Sequence, residues 1–240
     1  MARQIPSHRF SELVHAGTGV FIEFGYQRAQ MADVASALGV AKGTLYGYVE
    51  SKEALFLLCT RYCDTVEAIE QPRRLPVPTP RRGDLRRVLA QRMANEGDPM
   101  ALTAALQRKR PRDLRLELEA ILREQFAVMY RNRHAIELID RCGGDHPELL
   151  QDVQRNLREG THHKLAQYLE LRAGSRALRP IPDPFLSARV VLETLATWAV
   201  HIGWDRVPQS FIANAEDTVI TFVLGGLLRD REHQQSRRSP

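Results

Sequence analysis

One glycine separates two short helical patterns near the N-terminus, and no other feature restricts the fold of this chain as strongly. The first pattern places four apolar residues on one helix face, namely Met31, Val34, Ala35 and Leu38. It stops at Gly39, which can adopt a positive φ and turn the chain. A third helix is therefore expected to begin at Val40 or Ala41, and the small side chain of Ala35 allows the two helices to cross closely.

Longer helices are predicted on both sides of this pair. Apolar residues at helical spacing run from Ser7, the expected N-cap, to about Phe24, with Gly25 just past the helix end. After the pair, Ser51 is expected to cap a fourth helix that extends to Pro72. A support helix followed by two short helices and a tight turn fits a helix-turn-helix, whose second helix lies in the major groove of DNA.

The second helix of this motif has a polar outer face that contains glycine. Leu45 and Val49 are predicted to point into the core, so that the outer face consists of Lys42, Gly43, Thr44 and Tyr46. Glycine inside a helix costs roughly 1 kcal/mol, which suggests that Gly43 and Gly47 serve a close approach to another surface. Tyrosine hydroxyls, lysine ammonium groups and the amides at a helix start are common phosphate donors. The pattern therefore favours contact with DNA.

The stretch GVAKGTLYGYVESKEALF (residues 39–56), with GYQRAQMADVASAL before it, resembles the DNA-binding domain of the tetracycline-repressor (TetR) family. The resemblance covers about residues 8–57 and includes the turn glycine, the run KGTLY and the helix start SKE. It implies a set of DNA-binding residues: Gln30, Lys42, Gly43 and Thr44, of which the last three approach bases, and Tyr46, Tyr48 and Lys52, which hold phosphates. The sequence departs from the family at Ala29 and Ala41, where capping hydroxyl residues are usual.

The resemblance also implies the organisation of the whole chain of 240 residues. Residues 1–57 would form the DNA-binding domain, residues 58–230 a helical ligand-binding and dimerisation domain, and residues 231–240 a disordered tail. Helical patterns support an all-α fold; they occur at about 84–95, 99–109, 112–141, 146–173, 184–204 and 209–228, and no strand alternation is found. The segment QPRRLPVPTPRRG (residues 71–83) is predicted to be a stiff, solvated connection with solvated arginines.

The last two helical patterns are apolar around most of their circumference, whereas a surface helix has one apolar stripe. Such helices are buried on two sides, and the simplest second partner is another copy of the chain. A homodimer also suits a helix-turn-helix, because two recognition helices on a two-fold axis read a palindromic operator in double-stranded DNA. By resemblance, the chain is a transcriptional repressor that a small, largely apolar effector releases from DNA.

An effector pocket is expected between the long helical pattern at 112–141 and the pattern that begins at 184. The candidate lining residues are Leu122, Phe126, Met129, Tyr130, Trp198 and His201. Core positions and pocket linings share this apolar character, so the alternative that these residues form an ordinary core stays open.

Charge and cysteine content set further limits. The net charge is +5, but residues 1–60 contain three arginines and two lysines against five acidic residues and are neutral. Any DNA contact in that region depends on the placement of a few groups. Three cysteines without a secretory signal or an uncharged membrane span indicate a cytoplasmic protein.

No signature of catalysis, of a cofactor site or of a metal site is found in the sequence. Glu159, His162 and His163 are interpreted as a solvated helix face because no third or fourth ligand is spaced for a metal. Cys59 and Cys63, four residues apart, leave a thiol-based redox sensor as an alternative. A helical enzyme or an interaction module with a degenerate helix-turn-helix is the other alternative.

Overall fold

The computed structural model describes residues 8–96, 100–147, 159–204 and 214–229, and the regular structure of these residues is helical. The helices are α1 (His8–Arg28), α2 (Met31–Leu38), α3 (Lys42–Leu45), α4 (Lys52–Tyr62), α5 (Asp84–Glu96), α6 (Met100–Gln107), α7 (Leu114–Arg131), α8 (Arg133–Cys142), α9 (Gly160–Arg172), α10 (Pro184–Ala199) and α11 (Ala215–Leu227), with a 3₁₀ turn at His201–Trp204. The all-α fold is therefore confirmed. No helix in the described ranges is long and apolar enough to cross a membrane.

The chain divides into two compact units. One consists of Met1–Gly97 and Asn132–Asp152, and the other of Asp98–Arg131 and Val153–Pro240. Helices α5 and α8 therefore belong to the same unit as the helix-turn-helix. The functional boundary near residue 57 stays a prediction, and the predicted N-cap Ser7 and the tail at 231–240 lie outside the described residues.

In the first unit, α1 forms the centre and contacts α2, α4 and α8. Its apolar face, which includes the fully buried Phe10, Leu13 and Phe21, drives this packing. A Cβ atom at Gly17 would lie 3.0 Å from Cys59 Sγ and 3.2 Å from Leu55 Cδ1, so the missing side chain allows α1 and α4 to approach closely. Gly25 has φ 74° and breaks the helical path three residues before α1 ends, which agrees with the predicted turn there.

Helices α9 and α10 make the most contacts in the second unit. Helix α9 contacts α6 and α10, while α10 contacts α7 and α11. The contact between α7 and α10 confirms that these two helices face each other. Arg172 links α9 to α6 and α7 within this unit. It is 3% exposed and donates to Glu117 Oε1 at 2.9 Å and to the Ala105 carbonyl oxygen at 2.9 Å.

Several predicted helix ends are wrong. Helix α4 ends at Tyr62 instead of reaching Pro72, and the pattern at 112–141 is two helices that break at Asn132. The pattern at 184–204 gives a helix only to Ala199, followed by the 3₁₀ turn. The described part of the pattern at 146–173 is helical from Gly160, and that of 209–228 from Ala215.

Candidate nucleic-acid interface

The turn between α2 and α3 has the geometry that the sequence predicts. Gly39 has φ 67° and ψ 34°, in the left-handed region, and its N–H donates to the carbonyl oxygen of Ser36 at 3.1 Å. The Val40 N–H donates to the Ala35 carbonyl oxygen at 2.9 Å, which completes the end of α2. Helix α3 therefore leaves the turn in a defined direction.

Helix α3 has one buried face and one solvent face. Leu45 is fully buried and Val49, just beyond the helix, is fully buried too. Lys42, Gly43 and Thr44 are exposed. Tyr46, at the C-cap, is 41% exposed. These positions form a solvent-accessible polar surface at the place where a recognition helix presents its residues.

The two glycines of this segment have different surroundings. At Gly43 an added Cβ would meet no atom within 4 Å, so packing within the chain does not require glycine there. At Gly47 an added Cβ would lie 3.1 Å from the Thr44 carbonyl oxygen, which is tight for any side chain. Gly43 is therefore the glycine for which contact with another molecule, and not packing within the chain, would explain the missing side chain.

Gln30 lies at the start of α2 and is exposed. Its backbone N–H donates to the Asp33 carboxylate at 2.9 Å, so Asp33 satisfies one amide of the helix start. The N-cap of α2 is Gln30, so the capping position lies one residue after Ala29, where the resemblance placed it. At the start of α3, Ala41 offers no side-chain cap.

Tyr48 is 6% exposed, unlike Tyr46. Its carbonyl oxygen accepts a hydrogen bond from the Val77 N–H at 2.8 Å. The structure thus places Tyr48 in the core of the first unit, and its assignment to phosphate stays a prediction.

Lys52 holds the junction between α1 and α2. Its Nζ donates to the carbonyl oxygens of Tyr26 at 2.9 Å, Gln27 at 3.4 Å and Ala29 at 3.2 Å, and lies 4.5 Å from the centre of the Tyr26 ring. An ammonium group has three donor hydrogens, and the three carbonyl oxygens can accept all of them. Its phosphate role also stays a prediction.

Ser51 is the cap that the sequence predicts. Its Oγ accepts from the Ala54 N–H at 3.1 Å at the start of α4. Of the exposed members of the predicted interface, Lys42, Gly43, Thr44 and Tyr46 lie on α3 and at its C-cap, whereas Gln30 lies at the start of α2.

The predicted effector residues lie in the second unit and have mixed exposure. Leu122 and Phe126 are buried, Met129 and Trp198 are half-buried, and Tyr130 is 43% exposed. His201 begins the 3₁₀ turn and is half-buried. Their role in ligand binding stays a prediction.

A cleft of about 640 Å³ occurs elsewhere in the second unit, at the connection between α6 and α7. Three arginines and two carboxylates, of which Glu117 is buried, contribute to its lining. Its lining residues are Arg108, Arg110, Pro111, Arg112, Asp113, Leu116, Glu117 and Ala120. No residue of the predicted apolar pocket belongs to this lining.

Cys59 on α4 and Cys63 at its C-cap are free and buried. Cys59 is fully buried and Cys63 is 2% exposed. Burial raises the pKa of the Cys59 thiol to about 12, and burial together with the charge of Asp64 raises the pKa of the Cys63 thiol. A protonated, inaccessible thiol is a poor nucleophile, which disfavours the redox-sensor alternative.

Sequence reasoning missed a buried ionic cluster beside Cys63. The Asp64 carboxylate contacts the Arg92 guanidinium at 2.5 Å and the backbone N–H groups of His134 and Ala135 at 2.9 and 3.0 Å. Its members are 28 and 70 or more residues apart, and no motif marks them. The cluster holds the start of α8 against the residues that follow α4.

Comparison with known proteins identifies the motif. Residues 13–59 match the family described as bacterial regulatory proteins, tetR family, which confirms the resemblance over the segment that contains α2 and α3. No curated protein matches the chain.

Solved structures similar to this chain share little sequence with it. A TetR-like transcriptional regulator from Rhodococcus sp. RHA1 is 18% identical, with 93% of this chain and 98% of that chain covered and a TM-score of 0.49. A TetR-family member from Streptomyces coelicolor A3 is 21% identical, with 91% of each chain covered and a TM-score of 0.49. The regulator FadR from Bacillus subtilis, solved in complex with stearoyl-CoA, is 16% identical, with 90% and 98% covered and a TM-score of 0.44.

Proposed function

We propose that this chain, whose residues 13–59 match the tetR family of bacterial regulatory proteins, is a DNA-binding transcriptional repressor that responds to a small ligand. The observation that carries the proposal is the surface of α3. Lys42, Gly43 and Thr44 are exposed there, while Leu45 fixes the helix in the core and Gly39 sets its direction. This is the arrangement that a recognition helix needs in order to enter a major groove.

The outer faces of α10 and α11 support a homodimer. Leu186 and Val190 on α10 are 56% and 58% exposed, and Phe222 on α11 is 77% exposed. Gly225 and Gly226, one turn after Phe222, are exposed as well, and a Cβ at either would meet no atom within 4 Å. Small and large apolar residues next to each other suit close helix packing, and a second copy presents the same surface in an isologous contact. The dimer would then offer two α3 helices to a palindrome.

Release by an effector is the third element of the proposal. The packing of α7 against α10 within the second unit supports a ligand site between these helices, where Phe126 and Trp198 lie. The effector must prefer the DNA-free form by several kcal/mol to shift the population from mostly bound to mostly free. By linkage, DNA must then weaken effector binding.

Selection from a random duplex library tests DNA recognition directly. The full chain is expected to enrich a palindrome with half-sites about one helical turn apart. Lys42→Ala should then weaken binding to the enriched sequence by about 1–3 kcal/mol and change binding to random duplex much less. Lys109→Ala, an exposed lysine of the second unit, is the matched control and should leave both affinities unchanged.

One result would contradict sequence-specific DNA recognition, and a second would contradict the base-reading role of Lys42. The first is a selection without any enriched sequence. The second is an equal loss on enriched and random DNA for Lys42→Ala, which would reduce Lys42 to a phosphate contact. For the effector, a ligand found by thermal-shift screening that bound free and operator-bound protein equally would not be the inducer.

A further inference from the structure

The proline-rich segment between α4 and α5 is attached to the helix-turn-helix. We call residues 72–82 the proline strap. The Val77 N–H donates to the Tyr48 carbonyl oxygen at 2.8 Å, and the Val77 carbonyl oxygen accepts from the Glu50 N–H at 2.9 Å. The strap was expected to be a solvated connection, but these paired bonds fix it beside the residues that join α3 to α4.

A second pair of contacts extends this attachment. The Thr79 N–H donates to Glu50 Oε2 at 2.9 Å, and the Thr79 hydroxyl donates to Ser51 Oγ at 3.0 Å. Ser51 is the residue that caps α4. The strap therefore lies at the start of α4, where the resemblance places phosphate contacts.

The strap is strongly basic. Arg73, Arg74, Arg81 and Arg82 are all exposed, and residues 72–82 contain no acidic residue. The nearest acidic residues before the strap are Glu67 and Glu70. They lie on either side of Ile69, whose N–H donates to the Ser11 hydroxyl oxygen on α1 at 2.9 Å. The arginines thus flank the uncharged part of the strap, Val77 to Thr79, that contacts residues 48–51. The nearest acidic residue after the strap is Asp84, whose carboxylate accepts from the Arg81 N–H at 2.8 Å.

The helix-turn-helix itself has few positively charged side chains that are available to bind DNA phosphates. Residues 1–60 are neutral, Tyr48 is buried, and the Lys52 ammonium is bonded to three carbonyl oxygens. Yet neutralisation of phosphates supplies most of the sequence-independent affinity of DNA-binding proteins. Another group of cations close to α3 would meet this need.

We propose that the proline strap is a second DNA-binding element, whose arginines bind backbone phosphates beside the half-site read by α3. This inference rests on the proposed DNA-binding function. Arg74 lies three residues before Val77 and Arg81 two residues after Thr79, so at most about 10 Å of chain separates each from an attached residue. A guanidinium group binds phosphate with two parallel hydrogen bonds, which suits backbone contacts without base specificity.

The salt dependence of binding to a 30-base-pair duplex of random sequence tests the strap in the full chain. Each phosphate contact adds about 0.9 to the slope of log affinity against log salt. Arg73→Gln/Arg74→Gln and Arg81→Gln/Arg82→Gln should each lower the slope by up to about 1.8. At physiological salt the corresponding loss of affinity is about 5.5-fold per contact, or about thirtyfold for a pair.

Two further variants separate charge from position. Arg110→Gln/Arg112→Gln removes the same charge from exposed arginines of the second unit and should leave the slope unchanged. Val77→Pro keeps every arginine but removes the N–H that bonds to Tyr48, and it should lower the slope because the strap is no longer held. Circular dichroism confirms that each variant is folded.

The outcomes distinguish the strap from the function on which it rests. A native chain that does not bind the duplex, and enriches no sequence, would refute the proposed function. A native chain that binds with a normal slope, while both strap variants keep that slope, would overturn the strap proposal alone. An equal fall in the Arg110/Arg112 variant would also overturn it, because total charge would then explain the effect.

Discussion

Asp64→Ala is a substitution for which the structure predicts a large loss of stability in the first unit. The Asp64 side chain is only 5% exposed and is paired with Arg92, whose side chain is 16% exposed. Its oxygens also accept from the backbone N–H groups of His134 and Ala135, at the start of α8. One carboxylate thus neutralises a buried cation and satisfies two helix-end amides.

The expected loss follows from these two roles. Removing one partner of a buried ion pair typically costs 3–5 kcal/mol, because the remaining charge stays buried. Arg92 keeps other acceptors, the Thr60 carbonyl oxygen at 3.3 Å and Asn132 Oδ1 at 3.0 Å, which places the loss near the lower limit. The missing helix cap adds about 1 kcal/mol. We expect a total of about 3–4 kcal/mol, a large part of the stability of an ordinary domain.

Urea denaturation followed by circular dichroism measures this loss, and Asp84→Ala is the matched control. Asp84 also accepts a backbone N–H, that of Arg81 at 2.8 Å, and an arginine at 2.9 Å, but its partner Arg87 is 69% exposed. Exposed pairs contribute little, so the control should lose about 1 kcal/mol or less. A loss for Asp64→Ala no greater than that of Asp84→Ala would refute the argument from burial.

The same carboxylate predicts a pH dependence. Burial alone would raise the pKa of Asp64, but the hydrogen bonds from His134 and the charge of Arg92 outweigh it and keep this pKa below its ordinary value. A folded pKa below the unfolded one stabilises the protein above the unfolded pKa of about 4, and this contribution is lost as pH falls through the folded value. The stability difference between the native chain and Asp64→Asn should therefore shrink below about pH 4 and stay constant near neutrality.

Three further changes test other parts of the structure. Lys52→Met removes the ammonium from three carbonyl oxygens and should lower stability by about 2 kcal/mol in urea denaturation, with the salt slope of DNA binding unchanged; a slope lower by about one would instead assign Lys52 to a phosphate. Phe222→Glu puts a charge on the exposed face of α11 and should give folded monomers in sedimentation, whereas an intact dimer would place the interface elsewhere. Cys59 and Cys63 should react with a thiol reagent only on unfolding, and rapid labelling of the folded chain would contradict their burial.

The helix-turn-helix could be predicted from the sequence because short-range rules determine it. A glycine in the left-handed conformation, four apolar residues at helical spacing and a serine cap act within a few residues of each other. The structure confirms Gly39, the α2 boundaries and the Ser51 cap for this reason. The family resemblance has the same local basis, since the match ends at residue 59.

The ends of α4 and α7 could not be predicted because distant contacts determine them. Val66 continues the apolar spacing of α4, yet it is 99% exposed, because the chain leaves the helix at Tyr62. Just beyond that point Asp64 bonds to Arg92 and to the start of α8, at sequence separations of 28 and 70. Asn132, which separates α7 from α8, accepts a hydrogen bond through its Oδ1 atom from Arg92, which lies 40 residues earlier in the chain. Spacing within one segment contains no information about such partners.

The candidate site shows the same limit at the level of single side chains. Residue types identify Tyr46, Tyr48 and Lys52 equally well as phosphate donors, but tertiary contacts determine how exposed each side chain is. The Lys52 ammonium donates to the carbonyl oxygens of Tyr26, Gln27 and Ala29, which lie after Gly25 at the end of α1, where carbonyl groups have no partner within the helix. Of the three, Tyr46 retains the exposed side chain.

Helix α11 shows why two-sided apolar character predicts an interface but not its residues. Val223 and Phe222 are adjacent and both apolar, and periodicity alone cannot assign one to the protomer core and the other to a partner. In the structure Val223 is 7% exposed, whereas Phe222 is 77% exposed, which favours Phe222 as the interface residue of the proposed dimer. A charge at Val223 would therefore unfold the protomer and say nothing about assembly, while a charge at Phe222 leaves the core intact. Only Phe222→Glu can therefore test dimerisation without unfolding the protomer. The same variant shows whether DNA binding needs two α3 helices or one.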